Sequence, residues 1–180
     1  MEAVKCIKER RSIRKFKAEP VAKEVIEEIV SAAAYAPSWK NTQIARYYCL
    51  EGELKDRVAA EGVMGFEYNT KTISGAPQLV VVTYVEKRSG FERDGSFSTS
   101  KEDRWESFDA GIATQTFCLA AHDKGVGTCI LGIFDEEKVA EIAGIPDDQK
   151  VAALVAFGYA EGDHPAAPKR KEVSDLLVIK

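Results

Sequence analysis

Asp109-Ala110-Gly111-Ile112-Ala113-Thr114-Gln115-Thr116-Phe117-Cys118-Leu119-Ala120-Ala121-His122-Asp123-Lys124 carries no charged side chain between Ala110 and Ala121. Ile112, Ala113, Thr116, Phe117, Leu119, Ala120 and Ala121 leave hardly any polar face on a helix of this length. A helix that is apolar on nearly all sides is buried on nearly all sides. One chain of 180 residues has difficulty covering every face of such a helix. The segment therefore reads as a central helix along which two copies of the chain meet, and a homodimer is expected. Gly125-Val126-Gly127 ends the helix, and residues 128–131 start a strand.

Outward from that helix, residues 21–34 keep helical spacing in Val21, Val25, Ile26, Ile29, Val30 and Ala33, with Lys23, Glu24, Glu27 and Glu28 on the polar face. The helix stops at Ala36-Pro37, because proline disfavours helical geometry in the residue before it. Residues 2–10 read as a short helix with Ala3, Val4 and Ile7 on one side. Residues 78–85 form the clearest strand, entered through Gly75-Ala76-Pro77. Strands are also read at 45–50 and 151–159, and short helices at 53–60 and 135–143, the latter N-capped by Asp135. Residues 86–104 have no period, which marks a mobile functional loop or a disordered one. The tail from Gly162 ends in Leu176-Leu177-Val178-Ile179, an apolar piece that should dock, with the second subunit as one candidate surface. Helices mixed with a few strands, without regular βαβ alternation, give an α+β class and a single domain over 1–180.

Hydrophobic residues make up 45% and charged residues 30% of the chain, as in an ordinary globular protein. No apolar run approaches the roughly 18 residues of a membrane span, so no membrane association is expected. The charged N-terminus lacks the apolar centre of a secretory signal, and a cytoplasmic location is expected. Cys6, Cys49, Cys118 and Cys129 form no C-x-x-C pair, and His122 and His164 have no ligand spacing, so no metal site is read. Each cysteine sits in an apolar pattern and reads as a small buried hydrophobe. Gly125-x-Gly127 follows a helix and opens a strand, the reverse of a dinucleotide-binding fingerprint.

Arg10-Arg11-Ser12-Ile13-Arg14-Lys15 is a local basic block in a chain of net charge -4. It admits three readings. Cations near a helix C-terminus complement its dipole, which explains the block without any ligand. A nucleic-acid arm would come with a basic domain and stacking aromatics, which are missing here. A phosphate pocket is the third, since two arginines and a serine supply charge-assisted donors at about 1.5–3 kcal/mol each. The residues alone leave the helix end and the pocket level.

Arg10-Arg11-Ser12-Ile13-Arg14-Lys15-Phe16 resembles the R-R-S-x-R-x-F opening of the nitroreductase family of flavoenzymes. Ala36-Pro37-Ser38-Trp39-Lys40-Asn41-Thr42-Gln43 resembles that family's A-P-S-x-x-N-x-Q element. The stretch from Asp109 to Gly132 resembles its central helix, G-x-G turn and following strand, and Lys169-Arg170-Lys171 its C-terminal basic residues. The resemblance implies an α+β sandwich with a mainly antiparallel sheet flanked by helices, dimeric, with two FMN sites in the subunit interface. It puts Arg10, Arg11 and Ser12 at the phosphate and ribityl chain, and Arg14 at the N1/O2 edge of the ring. There a guanidinium stabilises the charge that a reduced flavin gains. Pro37, Ser38, Trp39 and Asn41 would reach the flavin of the partner subunit. Cys129, Ile130, Leu131 and Gly132 would run along the ring face, with Lys169 and Arg170 closing the phosphate.

Two departures stand out: Ile44-Ala45 replaces a frequent Pro-Trp, and Leu131 stands where an acidic residue is common. The implied activity is an FMN-dependent oxidoreductase. It would take hydride from NADH or NADPH and reduce nitroaromatic, quinone or similar acceptors by a ping-pong mechanism, with no side-chain acid or base and no nucleic-acid partner. The alternative is a flavin store or sensor, with the 87–104 loop closed over the ring.

Overall fold

The computed structural model describes residues 2–163 and 165–180; His164 lies outside them. Its helices are α1 (Ala3–Glu9), α2 (Lys23–Ala33), α3 (Gly52–Glu61), α4 (Glu67–Ser74), α5 (Arg104–Asp123) and α6 (Glu136–Ala143). Its strands are β1 (Ala45–Glu51), β2 (Gln78–Val85), β3 (Gly127–Leu131) and β4 (Gln149–Gly158). They form one antiparallel sheet in the order β1-β2-β4-β3. The α+β sandwich expected from the sequence is the observed architecture.

The unbroken apolar run of β2 has a direct cause. Successive strand residues point to opposite faces, and helices cover both. Leu79 and Val81 join Leu154 and Ala156 in one core, with Val58 of α3, Ile73 of α4 and Val139 of α6. Val80 and Val82 join Val155 and Phe157 in the other, with Ile29 and Ala33 of α2 and Phe117 and Ala121 of α5. At the start of β2, buried Gln78 ties the α2 approach to the sheet. Its Oε1 accepts the Val21 N–H at 2.9 Å, and its Nε2 donates to the Val21 carbonyl at 3.1 Å. Asp135 caps α6 as expected, accepting the Lys138 N–H at 3.0 Å.

On α1 the inward residue is Cys6, buried as expected, whose thiol donates to the Leu119 carbonyl, whereas the Val4 and Ile7 side of the helix is exposed. Other expectations are corrected. Helix α4 was not expected, because its few apolar residues show little period. Helix α5 starts at Arg104, so Asp109 lies inside it and is buried. One protomer covers only one face of α5: Asp109, Ala110, Ala113, Phe117 and Ala121 are buried, while Phe108, Gly111 and Gln115 are exposed. Cys49 is exposed on the edge strand β1, unlike the other three cysteines. Residues 86–103 pack as a folded strap. Ser89 is fully buried, Phe91 bridges Phe97, and the Ser98 N–H donates to the Gly90 carbonyl at 2.8 Å. Gly90 has φ +88°, and a Cβ there would strike the Glu102 carbonyl, so this approach requires glycine. Trp105 is half-buried against Trp39, with ring centroids 4.8 Å apart.

Candidate functional site

After α1 the chain runs extended beside β3. Ser12 forms a parallel bridge to Thr128, and the Ile13 N–H donates to the Thr128 carbonyl at 2.9 Å. Gly127 permits this, since a Cβ there would sit 2.9 Å from Ile13 Cγ1. Burying Ile13 turns its neighbours outward: Ser12 is half-buried and Arg14 exposed. The cationic row is thus aligned along the edge of the sheet.

The block divides by role. Arg11 turns back to cap α1, its Nη1 donating to the Lys8 carbonyl at 2.7 Å and the Arg10 carbonyl at 2.9 Å. Its Nε is buried with no hydrogen-bond partner among the described residues. Arg11 therefore serves the helix end, as the ligand-free reading required, and still leaves one donor unused. Arg10 and Arg14 are near enough to Cys129 to favour its thiolate, but burial dominates and pushes the Cys129 thiol up. Burial of this kind marks a structural thiol.

Beyond Thr128, β3 is an edge strand. Cys129 and Leu131 point inward, Ile130 is exposed, and a Cβ at Gly132 would meet nothing within 4 Å. The backbone from Cys129 to Gly132 thus lies open next to the arginine row. A cavity of about 210 Å³ opens beside Ser12, Arg14 and Lys15, with Glu161 and Asp163 in its wall. Ligand pockets usually enclose about 300–1,000 Å³, so this cavity is smaller than a typical one.

The second cluster is a strained turn. Lys40 (φ 43°), Asn41 (φ 58°) and Gln43 (φ 51°) all have left-handed backbone. This conformation costs an L-residue roughly 1–2 kcal/mol, less for asparagine. Ser38 Oγ accepts the Gln43 N–H at 2.9 Å, and the Thr42 N–H donates to the Trp39 carbonyl at 2.9 Å. The Trp39 N–H donates to Asp109 Oδ2 at 2.8 Å, and Ser89 Oγ donates to the same oxygen at 2.6 Å. Lys40 pairs with Glu92 of the strap at 2.9 Å. Pro37, Lys40 and Asn41 are exposed; Ser38 and Trp39 are half-buried. Asp109, Ser89 and Thr42 were not singled out from the sequence as site residues. An acidic residue at the head of an otherwise apolar helix was the available signal.

The two clusters stand at opposite ends of α5. The turn is tied to Asp109, and α1 to Leu119. Those residues are about 15 Å apart along the helix axis at a rise of ~1.5 Å per residue. Among the described residues, no hydrogen bond or ion pair joins the turn to Arg10, Arg11 or Ser12 within the protomer. Lys169 and Arg170 lie in the exposed tail, where Arg170 donates to the Pro168 carbonyl at 2.7 Å.

Residues 7–159 match the family model described as the nitroreductase family. A nitrobenzene nitroreductase of Ectopseudomonas oleovorans is 27% identical, covering 88% of this chain and 87% of its own. A nitroreductase family protein from Clostridium novyi NT superposes with a TM-score of 0.75 at 30% identity, covering 89% of this chain and 86% of its own. A solved oxidoreductase containing FMN gives a TM-score of 0.73 at 26% identity, with 90% and 79% covered. The arginine row beside the G-x-G strand, the strained turn and the central helix all lie within the matched residues, and the chain belongs to the nitroreductase family.

Proposed function

We propose that the chain is a cytoplasmic, homodimeric FMN-dependent oxidoreductase. It takes hydride from NADH or NADPH and reduces a nitroaromatic, quinone or similar acceptor in two half-reactions that use one face in turn. The observation that carries this reading is the row of donors along the edge of β3. Arg10, Ser12 and Arg14 lie next to the open backbone of residues 129–132. Such a row fits a ligand with an anionic tail and a flat, polar, neutral ring. A 27% identical relative is named a nitrobenzene nitroreductase, and a 26% identical one is an FMN-containing oxidoreductase, which supports the assignment.

FMN, when bound, supplies the hydride-accepting and hydride-donating chemistry that no side chain here provides. Arg10 and Ser12, with the unused Nε of Arg11, would bind the phosphate and ribityl chain, and Lys169 and Arg170 of the exposed tail would add to them. Arg14 would hold positive charge at the pyrimidine edge of the ring. The backbone of Cys129, Ile130, Leu131 and Gly132 would orient the ring, with no titrating group in contact. Pro37, Ser38, Trp39 and Asn41 would come from the partner subunit. The separation along α5 favours that assignment, because two copies of α5 packed antiparallel bring the head of one to the tail of the other. The uncovered face of Phe108, Gly111 and Gln115 is available for such packing.

The purified protein is expected to be yellow, to sediment as a dimer, and to bleach on rapid mixing with NADH or NADPH and recolour on adding nitrobenzene. The folded strap at residues 86–103 favours a second reading, a flavin store or sensor. Flavin that stays oxidised with both donors would select it over the oxidoreductase.

A further inference from the structure

The turn carrying Ser38, Trp39 and Asn41 does not hold its own shape. Three left-handed non-glycine residues within four positions persist only where the surroundings over-determine them. The internal bonds of the turn are few and mostly exposed. The buried anchor lies outside it, on the second turn of α5. Asp109 is 4% exposed and Ser89 0%. One oxygen, Asp109 Oδ2, accepts both the Trp39 N–H at 2.8 Å and the Ser89 hydroxyl at 2.6 Å. Ser89 Oγ is also 2.7 Å from Thr42 Oγ1. A hydroxyl has one proton, and that of Ser89 goes to the carboxylate, so Thr42 must donate to Ser89. The result is a directed chain, Thr42 to Ser89 to Asp109, with Trp39 entering from the other side. It grips the turn at both of its ends.

A buried carboxylate is costly where an amide could accept the same bonds. Its advantage is two charge-assisted bonds on a single oxygen. We propose that Asp109, acting with Ser89, is a positioning residue for the flavin: it locks the 38–43 turn in its binding form before the cofactor arrives, and fixes the 86–103 strap to it. The strap and the turn then move as one body, joined again by the Lys40–Glu92 pair and the Trp39–Trp105 contact. This inference rests on the FMN reading above.

The chain has two tryptophans, and both belong to this contact. Tryptophan emission and the Trp–Trp exciton signal in circular dichroism therefore report the turn directly in FMN-free protein. In Asp109→Ala the exciton signal is expected to vanish, and the Kd for added FMN to rise about tenfold or more, as loss of a preorganising group does. Asp109→Asn keeps an acceptor oxygen but loses the charge, so both readouts should be impaired clearly less than in Asp109→Ala. Ser89→Ala should weaken FMN binding by a smaller factor, and it decides the matter alone if Asp109→Ala does not fold. An Asp109→Ala protein of lowered stability whose FMN Kd is unchanged overturns the assignment, as does an Asp109→Asn protein as impaired as the alanine variant. Wild-type protein that binds no FMN overturns the cofactor reading instead. In that event an unchanged tryptophan signal in Asp109→Ala refutes the clamp itself.

Discussion

An alanine at Gly127 should force the arginine row off the sheet. Its Cβ would lie 2.9 Å from Cγ1, 3.0 Å from Cβ and 3.1 Å from Cγ2 of Ile13. A change of rotamer cannot relieve the clash, since the Ile13 Cβ is itself in contact. The backbones must separate, and overpacking of this kind costs about 1–3 kcal/mol. Separation also stretches the Ile13 N–H to Thr128 carbonyl bond, now 2.9 Å, worth about 0.5–1.5 kcal/mol. The lower entropy of alanine in the unfolded chain returns about 0.4–1 kcal/mol. The net loss is about 0.5–4 kcal/mol, measured by urea unfolding of FMN-free protein. Ile13→Ala alone should cost about 2–5 kcal/mol, as Ile13 is buried in the core beneath β3. The double variant removes two of the three clashing atoms, so its loss should fall short of the sum by about 1 kcal/mol or more. FMN affinity should fall in Gly127→Ala as Arg10 and Arg14 are displaced. A variant within about 0.5 kcal/mol of wild type, or a strictly additive cycle, would refute the close-approach account of Gly127.

Arg14→Ala is expected to retain FMN but to slow its reduction in rapid mixing, whereas Arg10→Ala mainly raises the Kd for FMN; equal loss of both properties in both variants would contradict the division of the row. Burial raises the Glu106 pKa, only partly opposed by backbone N–H donors including that of Arg88 at 3.2 Å. The native state therefore binds this proton more tightly than the unfolded chain. Its stabilising contribution is complete below the ordinary carboxylate pKa of about 4.3 and is lost as pH rises through the raised value. Glu106→Gln should raise Tm at pH 8 and leave it unchanged at pH 4, with an equal shift at both as the contrary result. Ile112→Glu introduces charge on the α5 face that the protomer leaves half-covered. It should yield folded monomers in sedimentation that no longer hold FMN; a flavin-loaded monomer would count against the shared site.

Much of this molecule was legible in its sequence wherever one physical requirement dominated. The run from Gln78 to Val85 is apolar because helices cover both faces of β2, and its limits coincide with the observed strand. Asp135 and Gly125 mark helix ends because capping chemistry is local. The arginine row could be found, but the sequence did not reveal that Arg11 turns back onto the Lys8 carbonyl, since that depends on where α1 ends. Nor was the strap at 86–103 legible. Its order comes from Ser89 meeting Asp109 and from aromatic contacts such as Phe91–Phe97, none of which has a period. The left-handed residues Lys40 and Gln43 were invisible for the same reason, because lysine and glutamine carry no local signal for that conformation. On α1, Val4 and Ile7 were correctly read as one stripe, yet that stripe faces away from the protomer.

The strand order also has a consequence for how the chain is made. β2 is sandwiched between β1 and β4, and β4 does not exist until residue 158 has been synthesised. At about 5–20 residues per second, β2 waits several seconds on the ribosome with β1 as its only possible strand neighbour. When β2 is first made, Leu79, Val80, Val81 and Val82 can meet α2, α3 and α4, whereas α5 and α6 are added only as synthesis proceeds toward β4. The sheet is therefore expected to close late and cooperatively. Substitutions that slow β4 pairing, such as a proline at Leu154, should reduce the yield of intact protein during synthesis more severely than they slow refolding of the finished chain.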